Sequence, residues 1–226
     1  MGDKKDDTED KTSVARWSFY ATIIASLIGG IISLIVADKI PSFRPSTPTP
    51  EVLVINPGTI LLDENFEDRQ MQGMSINGDW KIIADETKNQ VINSDSPNGG
   101  NFIGFGSEAW GNYLFEFRIR FLSTNNQGIG LEFRRTCDNA QNCFRYVLIL
   151  SRDSINLYFD SPESPYTPIQ ASSYDFNTQS WQDVRIEAKN SNIKIFINNS
   201  LTIEANDSNL AKGNLLFGVE NNHVQL

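Results

Sequence analysis

The chain has 226 residues, 39% of them apolar and 21% charged, which suits one folded unit with attachments and excludes a compositionally disordered polymer. Its net charge of -9 argues against a nucleic-acid partner, because phosphate binding needs a Lys/Arg surface that releases counterions. The single histidine, His223, lies three residues before the C-terminus and leaves little scope for His-based catalysis or a multi-His metal site.

Residues 1–16 form a short charged tail with Lys4, Lys5, Lys11 and Arg16, followed over residues 17–37 by the uncharged run "WSFYATIIASLIGGIISLIVA". A run of this length crosses a hydrocarbon core of about 30 Å as a helix. A cleaved signal peptide is the rival reading, but the apolar run exceeds the usual h-region of about 7 to 15 residues, so one uncleaved transmembrane helix is expected. Only Lys39 and Arg44 follow the span closely, and the excess of positive residues before it predicts a cytoplasmic N-terminus with the C-terminal part outside. Ala21, Ala25, Gly29, Ser33 and Ala37 recur every fourth residue, lining one helical face with small side chains as a candidate homodimer seam. The alternative is that such residues are simply common in membrane helices. Residues 38–58 carry Pro41, Pro45, Pro48, Pro50 and Pro57 and are expected to form a semi-rigid stalk.

Subtracting the -1 of residues 1–16 and the zero of residues 38–58 from -9 leaves -8 on residues 59–226, so the acidity belongs to the exported part. Alternation with period two dominates there. Phe115, Phe117, Ile119 and Phe121 point one way in "YLFEFRIRF" while Glu116, Arg118 and Arg120 point the other. The same period marks Ile129, Leu131 and Phe133, then Phe144, Tyr146, Leu148 and Leu150, then Val184, Ile186 and Ala188, then Ile193, Ile195 and Ile197. Turn signals such as "STNNQG", "NSN" and "INNS" separate these runs, which predicts an all-β, antiparallel two-sheet sandwich of the jelly-roll type with about a dozen strands. Cys137 and Cys143 enclose "DNAQN" between two alternating runs, a spacing that suits a disulfide closing a hairpin, with two free thiols as the alternative.

The order "LLDENFED", "GDWKIIAD", "WGNYLFEFRIRF", "GIGLEFRR", a Tyr-bearing strand, "WQDVRIEAKNSNIKIFINN" and "KGNLLFGVENN" resembles the concanavalin A-like lectin/glucanase superfamily, and more narrowly the laminin-G-like jelly rolls of bacterial surface proteins. The resemblance implies that Trp181 leads into a strand, that Asn190 to Asn192 and Asn198-Asn199 form tight turns, and that Gly213 bends the chain into its next strand. Such domains commonly close with a further strand bearing an Asp-Asp or Asp-Asn pair, whereas this chain stops at "NNHVQL", so the expectation is either a sheet one strand short with an open edge or a truncated sequence.

Glucanases of that superfamily use carboxylates that alternate along one strand, and no such run occurs; "DENFED" and "EAND" space their acids by three, onto opposite strand faces. The element "GFGSEAWG" precedes a strand pattern rather than a helix and is rejected as a dinucleotide loop. Asp63, Glu64 and Glu67 are a candidate structural calcium site, against the alternative of solvated carboxylates. No other cofactor is expected. Trp110, Arg118, Arg120, Glu132, Arg134, Arg145 and Tyr146 are candidates for a sugar-recognition face, since polar-tipped aromatics stack on sugar rings and Arg or Glu bonds paired hydroxyls. The alternative places the arginines and Glu132 in cross-strand ion pairs and the aromatics in the core. "NNS" at Asn198 and "NDS" at Asn206 fit glycosylation acceptors, a pattern that arises by chance in an Asn-rich chain. The expected function is non-catalytic binding of a glycan, or of a surface protein in an assembly role, by a membrane-anchored domain; the rival is a sugar-processing hydrolase of the keto-disaccharide type.

Overall fold

The computed structural model describes residues 59–123, 128–176 and 179–226. The expected tail, transmembrane helix, dimer seam and stalk lie outside them, and among the described residues no helix is long and apolar enough to cross a membrane. Twelve strands are formed by the described residues: β1 Ser75–Asn77, β2 Trp80–Ala84, β3 Gln90–Phe105, β4 Tyr113–Phe121, β5 Ile129–Cys137, β6 Cys143–Ser151, β7 Ser154–Asp160, β8 Thr167–Ser173, β9 Gln182–Lys189, β10 Asn192–Ile197, β11 Ser200–Asn206 and β12 Asn214–Gln225. All pairings are antiparallel.

One sheet runs β3-β12-β5-β6-β7-β8, with β1 and β2 both on the outer side of β3; the other runs β4-β9-β10-β11. Alternation builds both inner faces. Ile129, Leu131 and Phe133 of β5 and Tyr146, Leu148 and Leu150 of β6 meet Val184 and Ile186 of β9 and Ile193, Ile195 and Ile197 of β10, all of them buried. Aromatic rings tie the sheets together: Phe105 lies 5.4 Å from Phe115, and Phe117 meets Phe217 edge-on at 4.9 Å. Burying one such side chain is worth about 1.5–3 kcal/mol, which is why the period-two pattern fixes register so firmly.

The turns follow their residue chemistry. Asn198 and Asn199 both take positive φ, at 49° and 64°, as a two-residue hairpin between β10 and β11 requires, and Asn190 does so at 53° between β9 and β10. The Cys137–Cys143 disulfide closes the β5–β6 hairpin as expected from its spacing. Inside that loop Asp138 Oδ1 accepts the N–H groups of Ala140 and Asn142. Side-chain and backbone bonds from Asn142 hold the Asp138 carboxyl below its usual range.

The last strand does not itself form an edge. β12 is an interior strand, paired on one side to β3 and on the other to β5, and its last residues Val224 and Gln225 cross to Phe121 and Arg120 of β4, joining the two sheets. Leu226 and Ile92 exchange backbone hydrogen bonds at 2.9 and 3.0 Å. β12 therefore sits where its backbone groups are most fully used.

Two glycines with φ in the left-handed range separate local strain from packing. A Cβ on Gly73 (φ +69°) would meet nothing, whereas one on Gly213 (φ +153°) would lie 2.1 Å from the Arg134 carbonyl carbon. Gly73→Ala is expected to cost about 1 kcal/mol and Gly213→Ala about 3 kcal/mol or more, read by urea unfolding of the full chain.

Candidate functional site: the outer face of the larger sheet

The site begins with an irregularity in β5. Its register against β6 slips between Phe133 and Thr136, so Arg134 and Arg135 share a bulge, with Arg134 at φ +48°. The bulge sends the two guanidiniums to different places.

Arg134 turns inward and is fully buried. Its Nη1 donates to the carbonyls of Asn190 (2.7 Å) and Leu210 (2.9 Å), and its Nε and Nη2 both donate to the Gly111 carbonyl (3.3 and 3.2 Å). Tyr146 lies beside it, donating from its hydroxyl to Asp207 Oδ1 at 2.6 Å and accepting the Leu210 N–H at 3.1 Å. Burial, reinforced by that bond to Asp207, pushes the Tyr146 phenol well above its usual range. Burial likewise raises Tyr113, whose hydroxyl accepts the Arg134 N–H at 3.3 Å.

Arg135 is re-aimed to the outer face, where its Nε lies 2.9 Å from Glu132 Oε2. Glu132 Oε1 pairs with Arg145 Nη1 at 3.0 Å, and Arg145 Nε and Nη2 each reach Asp160 Oδ2 at 2.7 Å. Asp160 Oδ1 accepts the Tyr166 N–H at 3.0 Å. Glu132, Arg145 and Asp160 are nearly covered, yet Glu132 Oε2 and Arg135 Nε face each other without an aligned hydrogen bond. Burial pushes the Glu132 carboxyl above its usual range, against the opposing pull of Arg145 and Arg135.

Pairing register sets what surrounds this cluster. One row across the outer face reads Gly104, Leu216, Glu132, Val147 and Tyr158; the next reads Phe102, Gly218, Gly130, Ile149 and Asn156. Phe102 lies over glycine on two strands: a Cβ on Gly100 would touch its ring at 2.8 Å and one on Gly218 at 3.2 Å. A Cβ on Gly130, the next position along the row, would meet nothing within 4 Å. Val147 and Ile149 are buried although they point away from the core, so the face is recessed. The result is a glycine-floored trough open at Gly130, flanked by the nearly buried Phe102 ring and by the Glu132, Arg145 and Asp160 ion cluster. Tyr158 and Tyr166, packed edge-on with centroids 5.9 Å apart, stand beyond Asp160.

The residues singled out from sequence do not share one face. Glu132 and Arg145 belong to the trough. Arg134 and Tyr146 form the internal brace. Arg118 is exposed on the outer face of the smaller sheet, 3.1 Å from Asp183, and Arg120 is buried against Gln225 and pairs with Glu86; both guanidiniums stack on the Trp181 ring, at 5.2 and 4.9 Å. Trp110 covers Gly106 at the edge of the core. Of the acids read as a calcium site, Glu64 caps the Phe66 N–H and Glu67 reaches across to the Gln90 N–H, so these two serve different backbone groups. No group of three or more His, Cys, Asp or Glu among the described residues converges to hold a metal ion. Sequence reasoning missed Phe102, Gly130, Arg135 and Asp160, although Gly100, Phe102 and Gly104 alternate in "GNFIG" as residues of one strand face do.

The model of the 3-keto-alpha-glucoside-1,2-lyase-like domain family matches residues 64–226. The chain belongs to this family. The match covers every strand and agrees with the concanavalin A-like superfamily expected from the strand order. Similar solved structures include a galectin-like protein of unknown function from Bacillus subtilis (TM-score 0.55, 9% identity, 67% of this chain and 85% of that one). The carbohydrate recognition domain of Emp47p is similar at TM-score 0.53 and 9% identity, over 73% of this chain and 90% of that one. The exoplasmic/lumenal domain of VIP36, in a form bound to calcium and Man3GlcNAc, is similar at TM-score 0.54 and 12% identity, over 68% and 80%. At these identities the likeness establishes the fold. No curated protein matches the chain in sequence.

Two expectations follow. Arg134→Met leaves the carbonyls of Gly111, Asn190 and Leu210 without their donor and costs about 3 kcal/mol in urea unfolding, with Arg134→Lys recovering only part because an ammonium cannot span the same fork. Glu132 titrates near its usual 4.5 in the unfolded chain and higher when folded, so the folded state holds the proton more tightly. Its stabilising contribution is complete below that value and is lost as pH rises through the folded pKa; Glu132→Gln should flatten that decline in a pH series of unfolding midpoints.

Proposed function

We propose that the domain binds carbohydrate in the outer-face trough and does so without catalysis. The observation that carries this reading is the Phe102 ring laid over Gly100 and Gly218 beside the open floor at Gly130, with the Glu132–Arg145–Asp160 ion cluster at its margin. A sugar ring presents an apolar C–H face and an equatorial fringe of hydroxyls. The first suits a flat aromatic wall, and the second suits charged groups locked in place before the ligand arrives. Arg135, the most exposed member of the cluster, would meet those hydroxyls at the margin. Family membership and the lectin folds it resembles support the same class of ligand.

In this proposal residues 17–37 anchor the chain in a membrane with the sandwich outside, which the charge asymmetry and the Cys137–Cys143 disulfide support, since such bonds persist in oxidising compartments. The family description favours a second reading, in which the same trough processes 3-keto-glucosides with Glu132 or Asp160 as the working acid. Both carboxylates are committed to arginines, which favours binding over proton transfer. Turnover of a 3-keto-alpha-glucoside by the full chain would decide for the enzyme.

The test of the binding reading fills the trough. Gly130→Val adds a side chain where the floor is open, on a strand that favours β-branched residues, so the fold should be retained. Retention of the full chain on immobilised polysaccharides should be saturable and should vanish in Gly130→Val with melting temperature unchanged. Undiminished binding by that variant would overturn the reading.

A further inference from the structure

A cleft of about 390 Å³ opens elsewhere, among the loops on which Arg134 converges. Three connections build it: Gly111 and Asn112 before β4, Asn190 and Ser191 between β9 and β10, and Ser208 and Lys212 before β12. The Arg134 guanidinium bonds one carbonyl in each connection, those of Gly111, Asn190 and Leu210. Asn112 adds a second tie, its Oδ1 accepting the Asn190 N–H at 2.7 Å. The cleft is thus held open by buried hydrogen bonds and does not depend on a ligand to form.

Its chemistry runs against the charge of the domain. Although residues 59–226 carry -8, Lys212 is the only charged side chain lining the cleft, and among the described residues it pairs with no carboxylate. The neighbouring acid, Asp207, is engaged by the Tyr146 hydroxyl and by the backbone and side chain of Asn209. Below the cleft, the Arg134 charge is matched by carbonyl dipoles alone. A second cleft of about 330 Å³, on the outer face of the smaller sheet, is lined by Glu116 and Asp183 together with Arg118 and Arg185, so its charges cancel. Of the two, the first alone has a lining whose one charge is a cation, set in an amide and hydroxyl rim.

We propose that this cleft is a second ligand site, for an acidic sugar unit of the uronic-acid type. Lys212 meets the carboxylate, and the side chains of Asn112, Asn190, Ser191 and Ser208 meet the ring hydroxyls. The site stands apart from the trough and does not rest on the reading given for it.

Saturation-transfer NMR on the full chain, with glucuronate and glucose as probes, tests it, because this readout detects weak binding. Glucuronate should give a saturable response and glucose a weaker one. Lys212→Gln should weaken glucuronate about fivefold, the size of one exposed ion pair. Gly130→Val, which fills the trough, should leave a glucuronate response, and in that background Ser208→Trp, a change at an exposed position that fills the cleft, should abolish it. Equal responses to the two sugars, no response to glucuronate, survival in the double variant, or loss in Gly130→Val would each overturn the proposal.

Discussion

The bulge in β5 is the constraint on which the rest of the arrangement depends. A regular strand would put Glu132, Arg134 and any later even-numbered residue on one face, and Arg135 would point into the core. By inserting an extra position the chain sends Arg134 inward among the loops and Arg135 outward beside Glu132. Gly213 accommodates the bulge, since a Cβ there would lie 2.1 Å from the Arg134 carbonyl carbon. One backbone irregularity therefore sets both the internal brace and the polar margin of the trough.

These two uses of arginine differ in energetic kind. Arg134 is a buried cation satisfied by four hydrogen bonds to neutral carbonyls, an arrangement that fixes loop geometry and would be costly to break. The Glu132–Arg145–Asp160 cluster is a buried ion network whose desolvation offsets much of its Coulomb attraction, so it contributes little net stability. A chain selected for stability alone would do as well with apolar residues there. That such a network stands beside a glycine floor and an aromatic ring is the reason to assign it to recognition.

Much of the fold was legible because sheet periodicity is local. Phe115 to Phe121, Ile129 to Phe133 and Ile193 to Ile197 announce their buried faces through spacing alone, and Asn198-Asn199 announces its turn through its tolerance of positive φ. The candidate site was much less legible, because its elements meet only through pairing. Gly130 lies next to Gly218 and Phe102 by register across three strands, and nothing in the linear spacing of those residues states it. The recognition-face reading misplaced Arg134 and Tyr146, although alternation had already set Tyr146 inward with Leu148 and Leu150. The first was displaced by a bulge that packs against Gly213, nearly eighty residues away, and the second has a polar tip that a distant loop satisfies. Trp181, read only as the lead-in to β9, also serves as a stacking surface for Arg118 and Arg120.

The measurement that bears most directly on the account is a crystal structure of the chain with a bound oligosaccharide. The account predicts a sugar ring seated over Gly130, its apolar face toward Phe102 and its hydroxyls within hydrogen-bond reach of Glu132, Arg135 or Arg145. A sugar held instead on the outer face of the smaller sheet, against Arg118 and Trp181, with the trough empty, would contradict it.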